Sequence, residues 1–139
     1  MSVKLSTKCR YGTRAITEIA RGWPDATVKK RQISQRQTIP ASYLENILLE
    51  LKRSGLVTAT RGAKGGYRLT RAPEDICVLD ILSAFGDSLV PVDCVDDPDC
   101  CSRTKRCVFR HVWMQLHKAQ EEALSGVTVQ DLIDEENEM

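Results

Sequence analysis

The stretch that most restricts the architecture is a basic, glycine-rich hexapeptide between two β-prone runs. Leu56-Val57-Thr58-Ala59-Thr60 and Tyr67-Arg68-Leu69-Thr70 flank Arg61-Gly62-Ala63-Lys64-Gly65-Gly66, and three glycines in six residues allow a tight reversal. The pattern predicts a β-hairpin with a cationic tip. A glycine run can also cradle a nucleotide phosphate, but that motif needs a helix after the loop, and here a second strand follows.

What precedes the hairpin is helical. Ser6 and Thr7 can cap a helix whose apolar positions Tyr11, Ala15, Ile16, Ile19 and Ala20 recur at helical spacing and which ends near Gly22-Trp23-Pro24. A short charged helix is expected over residues 28–36, around the single apolar Ile33. Thr38-Ile39-Pro40 then opens a third helix with Leu44, Ile47, Leu48 and Leu51 at i, i+3, i+4 and i+7, closing at Lys52-Arg53-Ser54-Gly55. Two helices joined by a short turn, the second longer and followed by a hairpin, form a helix-turn-helix with an appended wing. The expected fold is therefore mainly α with a small β-hairpin wing.

Charge divides the chain in the same place. Residues 1–71 hold 15 Lys and Arg against 4 Asp and Glu, a balance of +11, while residues 72–139 hold 5 against 15, a balance of −10. The overall net charge of +1 hides this split. A cationic leading part favours phosphate contacts, and the acidic remainder repels them. Two regions are expected, a DNA-binding unit over 1–73 and a second region over 74–139.

Beyond Pro73, residues 78–85 form a short apolar helix with Leu79, Ile81, Leu82 and Phe85 available for packing, and residues 86–105 then lose all periodicity. Aperiodic stretches of about 20 residues are usually functional or ordered by a ligand. Phe109, Val112, Trp113, Leu116 and Ala123 mark a long amphipathic helix with no evident second half-domain to cover it, so it is expected to pack on another copy of itself. A short helix is expected over 127–134, with a disordered acidic tail over 135–139.

The aperiodic stretch carries Cys94, Cys100, Cys101 and Cys107, four of the six cysteines. Met1 to Arg10 lacks an apolar signal region, and nothing approaches the roughly 18 consecutive apolar residues of a membrane span. A cytoplasmic, reducing location without a membrane partner is the expectation, and it argues against a disulfide framework. Crowded thiolates are soft ligands for iron-sulfur clusters or zinc. Paired C-x-x-C knuckles are absent, and a metal-free thiol or disulfide switch stays open beside the metal readings. Asp93, Asp96, Asp97 and Asp99 are read as solvated charges. Cys9 and Cys77, on or beside helices, are read as small hydrophobes. His111 follows Cys107 by one helical turn and can reach the same metal, and His117 is given no role. No C-x-x-C, nucleotide fingerprint or carboxylate pair favours an enzyme.

Leu5-Ser6-Thr7-Lys8-Cys9-Arg10-Tyr11-Gly12, Ser42-Tyr43-Leu44-Glu45-Asn46, the wing hexapeptide with Tyr67, and the cysteine loop with Trp113 together resemble the IscR and NsrR type of bacterial transcription regulators, the Rrf-two family of winged-helix proteins. The resemblance spans nearly the whole chain. It implies a homodimer bound to a palindromic operator in double-stranded DNA, a long crossing dimerisation helix, and a 2Fe–2S or 4Fe–4S cluster that senses redox, nitric oxide or iron-sulfur status. On that resemblance Ser42, Tyr43, Glu45 and Asn46 face the major groove and Arg61 enters the minor groove, with Lys29, Lys30 and Lys64 as phosphate contacts; Tyr43 can equally be a core aromatic. The metal ligands it implies are Cys94, Cys100 and Cys107, with Cys101, His111 or, across the dimer, Cys9 as the fourth. In the IscR pattern a histidine stands three residues after the last cysteine, where this chain has Arg110. In the NsrR pattern an N-terminal aspartate stands where this chain has Arg10.

Overall fold

The computed structural model describes residues 5–139, and the first four residues lie outside that description. Six helices and one two-stranded antiparallel sheet follow in the order α1 (Thr7–Ala20), α2 (Lys30–Gln37), α3 (Ala41–Arg53), β1 (Val57–Thr60), β2 (Gly66–Leu69), α4 (Val78–Ala84), α5 (Val108–Ser125) and α6 (Val129–Glu138). Ser6 caps α1 by accepting the Cys9 amide N–H on its hydroxyl at 3.0 Å. The apolar stripes of α1 and α3 meet, burying Ile16, Ile19, Leu44, Ile47, Leu48 and Leu51 almost completely, with Ile33 of α2 closing one side. Each fully buried aliphatic side chain contributes roughly 1.5–3 kcal/mol relative to exposure.

The wing pairs Val57 with Leu69 and Thr60 with Gly66, so Val57 and Leu69 point into the core while Thr58 and Arg68 face solvent. Gly65 is required sterically, as a Cβ there would stand 2.2 Å from the Thr60 carbonyl oxygen. One pairing was not expected. Val28, assigned to α2 by sequence, is extended and exchanges both backbone hydrogen bonds with Tyr67 at 2.8 Å, fastening the wing to the approach of α2. The helix begins two residues later, where the Lys29 amide donates to Gln32 Oε1 at 2.8 Å.

One further expectation is corrected, and the core crosses one expected boundary. The acidic tail is not disordered: α6 runs to Glu138, capped by Thr128, and packs on α1, with Val129 and Ile133 buried. Moreover, the boundary drawn at residue 73 does not divide the core, since Ile76, Ile81, Val129 and Ile133 join the same cluster as Ile16 and Leu44. The second region contributes the short helices α4 and α6 to the first region's core, while α5, between them, has no buried residue.

Residues 86–107 are less irregular than their sequence suggests, holding three 3-10 turns at Asp93–Val95, Pro98–Cys100 and Thr104–Arg106. Helix α5 follows, and none of its 18 residues is buried.

Candidate nucleic-acid interface and thiol-rich loop

Burial of Leu44, Ile47, Leu48 and Leu51 turns the opposite face of α3 outward, and Ser42, Glu45, Asn46 and Leu49 lie exposed along it at i, i+3, i+4 and i+7. Leu49 was not expected in this row, although its spacing from Ser42 places it there. Tyr43 belongs to neither face fully. Its ring is half-buried against the core and meets Tyr11 edge-on, with centroids 5.4 Å apart.

Of the three expected phosphate-binding lysines, Lys29 and Lys30 already have side-chain partners. Lys29 Nζ donates to the Ala63 carbonyl at 3.0 Å, and Thr27 Oγ1 donates to the Lys64 carbonyl at 3.1 Å, so both brace the wing tip. Lys30 forms an ion pair with Glu45, tying the start of α2 to the exposed face of α3. That hydrogen bond, with the lysine's charge, holds the Glu45 carboxyl below its ordinary range. Arg61 and Lys64 remain exposed at the wing tip.

The six cysteines divide by burial. Cys9 is 0% exposed and packs with Leu82 and Leu89; burial, then the neighbouring Asp87 carboxylate, pushes its thiol up to about 12. Its enclosure in the core of its own protomer places Cys9 behind Cys101 and His111 as a candidate fourth ligand. Cys77 precedes α4, where its amide N–H donates to Asp80 Oδ2 at 3.0 Å. Cys94 is half-buried, whereas Cys100 and Cys101 are exposed. The Cys100 thiol is held above its ordinary value by local desolvation and then by Asp97, Cys94, Asp93 and Cys101. Asp93, Asp96, Asp97 and Asp99 are exposed, as expected of solvated charges.

Cys107 is half-buried at the amino end of α5, in a hollow of about 360 Å³ shared with Lys105, Arg106, Arg110 and His111. The donor chemistry suits a soft metal or an iron-sulfur cluster. Among the described residues, however, no three Cys, His, Asp or Glu side chains gather closely enough to hold a metal ion.

Sequence reasoning missed how this loop is anchored. Asp87 Oδ2 accepts from both the backbone N–H and the hydroxyl of Ser6, at 3.1 and 2.9 Å, joining the start of the loop to the amino end of α1. Arg110 Nε donates to the Cys94 carbonyl at 3.1 Å, and His117 Nδ1 lies 3.4 Å from the Leu89 carbonyl. Arg110, His117 and Leu124, seven residues apart, form the edge of α5 turned toward its own protomer. The apolar stripe of Val108, Phe109, Val112, Leu116 and Ala123 lies about a third of a turn away and is exposed.

A helix pair whose second helix displays a polar face beside a basic hairpin defines a winged helix-turn-helix DNA-binding protein. The family model Rrf2, described as an iron-dependent transcriptional regulator, matches residues 5–135, and the chain belongs to this family. Protein rrf2 of Nitratidesulfovibrio vulgaris is 38% identical over 131 residues, 94% of this chain and 87% of that protein. Among solved structures, IscR of T. potens matches with a TM-score of 0.77 at 33% identity, over 100% of this chain and 93% of its own. CymR, the global cysteine regulator of B. subtilis, matches with a TM-score of 0.78 at 31% identity, over 96% and 98%. The chain is a DNA-binding transcription regulator. No helix among the described residues is long and apolar enough to cross a membrane.

Proposed function

We propose that this regulator is a cytoplasmic homodimer whose affinity for a palindromic operator is set by an iron-sulfur cluster bound in the loop over residues 86–107. Cys94, Cys100 and Cys107 would hold the cluster, with Cys101 or His111 completing the set. Such a group supplies a centre that reacts with oxidants or nitric oxide.

The observation that carries this reading is the charge around Cys107. Four of the five Lys and Arg residues in the acidic half, Arg103, Lys105, Arg106 and Arg110, stand on either side of it at the amino end of α5. Cations there oppose the helix dipole at a typical cost of about 0.3–1 kcal/mol each. That arrangement suits the negative charge of a thiolate-bound centre. The chain's own residues then link loop to reading head. Ser6 and Asp87 hold the loop to α1, and Arg110 and His117 hold it to α5, so a change in loop order bears on both elements.

The exposed stripe of α5 supports the dimer. Val108 is 69% exposed, Phe109 61% and Val112 52%, on a helix with no buried residue. A second copy supplies the apolar surface this face lacks. On this reading Asn46, Ser42 and Glu45 read base edges, Arg61 enters the minor groove, and Lys64 meets phosphate. Lys29 and Lys30 contribute chiefly by fixing the wing and Glu45. The division of labour between residues 1–73 and 74–139 is one of function, as the core crosses it.

Anaerobic purification with iron and sulfide quantification tests the cluster. The expected result is stoichiometric iron and sulfide in the wild type, lost in Cys94→Ser and Cys107→Ser. Full cluster occupancy in either variant refutes the ligand assignment. A colourless, iron-free wild type favours the second reading, metal-free thiol control, which the exposed neighbouring thiols of Cys100 and Cys101 support.

A further inference from the structure

Burying a carboxylate is costly unless it is fully partnered. Glu18, on α1, has a residue exposure of 2%, and nothing in the cluster or base-reading assignments uses it. Its Oε1 accepts from Arg36 Nη1 at 2.8 Å and its Oε2 from Gln37 Nε2 at 3.0 Å. Both donors occupy the last turn of α2. The next residue, Thr38, has φ 53° and ψ 52°, a left-handed conformation unfavourable for a β-branched side chain. Thr38 is the turn of the helix-turn-helix. Ser34 secures its far side by donating from Oγ to the Ile39 carbonyl at 2.7 Å, while the Ile39 amide returns a bond to the Ser34 carbonyl at 3.1 Å. A strained turn persists only where its surroundings over-determine it, and Glu18 supplies one of the two fastenings.

Glu18 has a third neighbour, Arg21, whose Nε lies 3.6 Å from Oε2. The other end of that guanidinium is held by α6, where it donates to Asn137 Oδ1 at 3.0 Å and pairs with Glu136. An unbroken polar chain therefore runs from the final turn of α6, through Arg21 and Glu18, to the turn that sets α2 against α3.

We infer that Glu18 is a positioning residue for DNA reading: it fixes the angle of the recognition helix through Arg36 and Gln37, and α6 reaches the same turn through Arg21. The inference rests on DNA binding by the helix-turn-helix and is independent of whether the loop holds a cluster.

The test compares full-length wild type with Glu18→Gln and with the surface double variant Glu136→Gln/Asn137→Ala. Each is titrated at one salt concentration against a duplex that the wild type selects from a random pool, and against a scrambled duplex of equal length. The readout is the ratio of the two affinities, with circular dichroism and a thermal melt as controls. Loss of folded protein lowers both affinities together, so a purely structural role leaves the ratio unmoved. Glu18→Gln should lower it roughly tenfold, the equivalent of about one base contact. The double variant should lower it severalfold while its melt and its scrambled-duplex affinity stay near wild type. An unchanged ratio in folded Glu18→Gln overturns the positioning role. Should that variant not fold, the double variant decides alone, and an unchanged ratio there overturns the inference.

Discussion

Helices α3 and α5 carry the same kind of apolar stripe and meet opposite fates. In α3, Leu44, Ile47, Leu48 and Leu51 are at most 1% exposed, enclosed by α1 and the wing of the same chain. In α5, Phe109, Val112 and Leu116 are 41% exposed or more. Amphipathicity fixes which face of a helix avoids water, but it does not say what covers that face. The first stripe is satisfied within the protomer and makes a rigid reading head. The second is left for an external partner, and so belongs to assembly and control.

Truncating each stripe separates these roles, and the core gives the largest effect. Leu44→Ala should cost about 2–5 kcal/mol of unfolding free energy through lost burial and the cavity left behind. Chemical denaturation measures it, and the loss should be independent of protein concentration. In α5, Leu116→Asp should leave the winged helix folded but turn a dimer into a monomer in sedimentation. Operator affinity should then fall by on the order of 100-fold, as two half-sites no longer act together. A monomeric wild type, or a dimeric Leu116→Asp variant, would remove the distinction drawn between the two helices.

The reading head can be divided further. Asn46→Ala should cost about 1–3 kcal/mol of operator affinity and relax preference at one base position. Lys64→Ala should weaken all duplexes alike and reduce the salt-dependence slope by about one. Selection from a random pool and a salt titration distinguish the two.

The helix-turn-helix and wing were legible in sequence because their signals are local. Apolar residues at i, i+3, i+4 and i+7 and a glycine-dense reversal need no knowledge of distant partners. Three features were not legible, each for want of a long-range contact. Val28 lies just ahead of a helix, and only its pairing with Tyr67 draws it into extended backbone. The acidic residues over 135–139 resemble a solvated tail, yet Arg21 on α1 holds Glu136 and Asn137 in a helix. Glu18 appears as one more polar residue of α1 until Arg36 and Gln37 fold over it. The thiol loop was legible as chemistry, through residue types, and not as geometry, since its cysteines follow no period that places Cys107 relative to Cys94.

The smallest expected effect lies at the seam between the two regions, where Ser6, Cys9 and Asp87 bring the start of α1 against the start of the loop. Burial and the Asp87 carboxylate raise the Cys9 thiol from 9.0 to about 12, so the folded chain keeps this proton more tightly than the unfolded chain. Stability from this group is thus fully present below about pH 9 and declines as pH rises toward 12. Other groups titrate in that window, so the informative quantity is a difference between variants. Cys9→Ala removes the ionisable group and should lose less stability than the wild type between pH 9 and pH 12. Asp87→Asn keeps the thiol but removes the adjacent charge, and its alkaline loss should fall between the two. Thermal melts of the three proteins across that range measure it. Parallel curves would mean that Cys9 ionises without penalty, and that the seam is open to water rather than closed by the packing of Leu82 and Leu89.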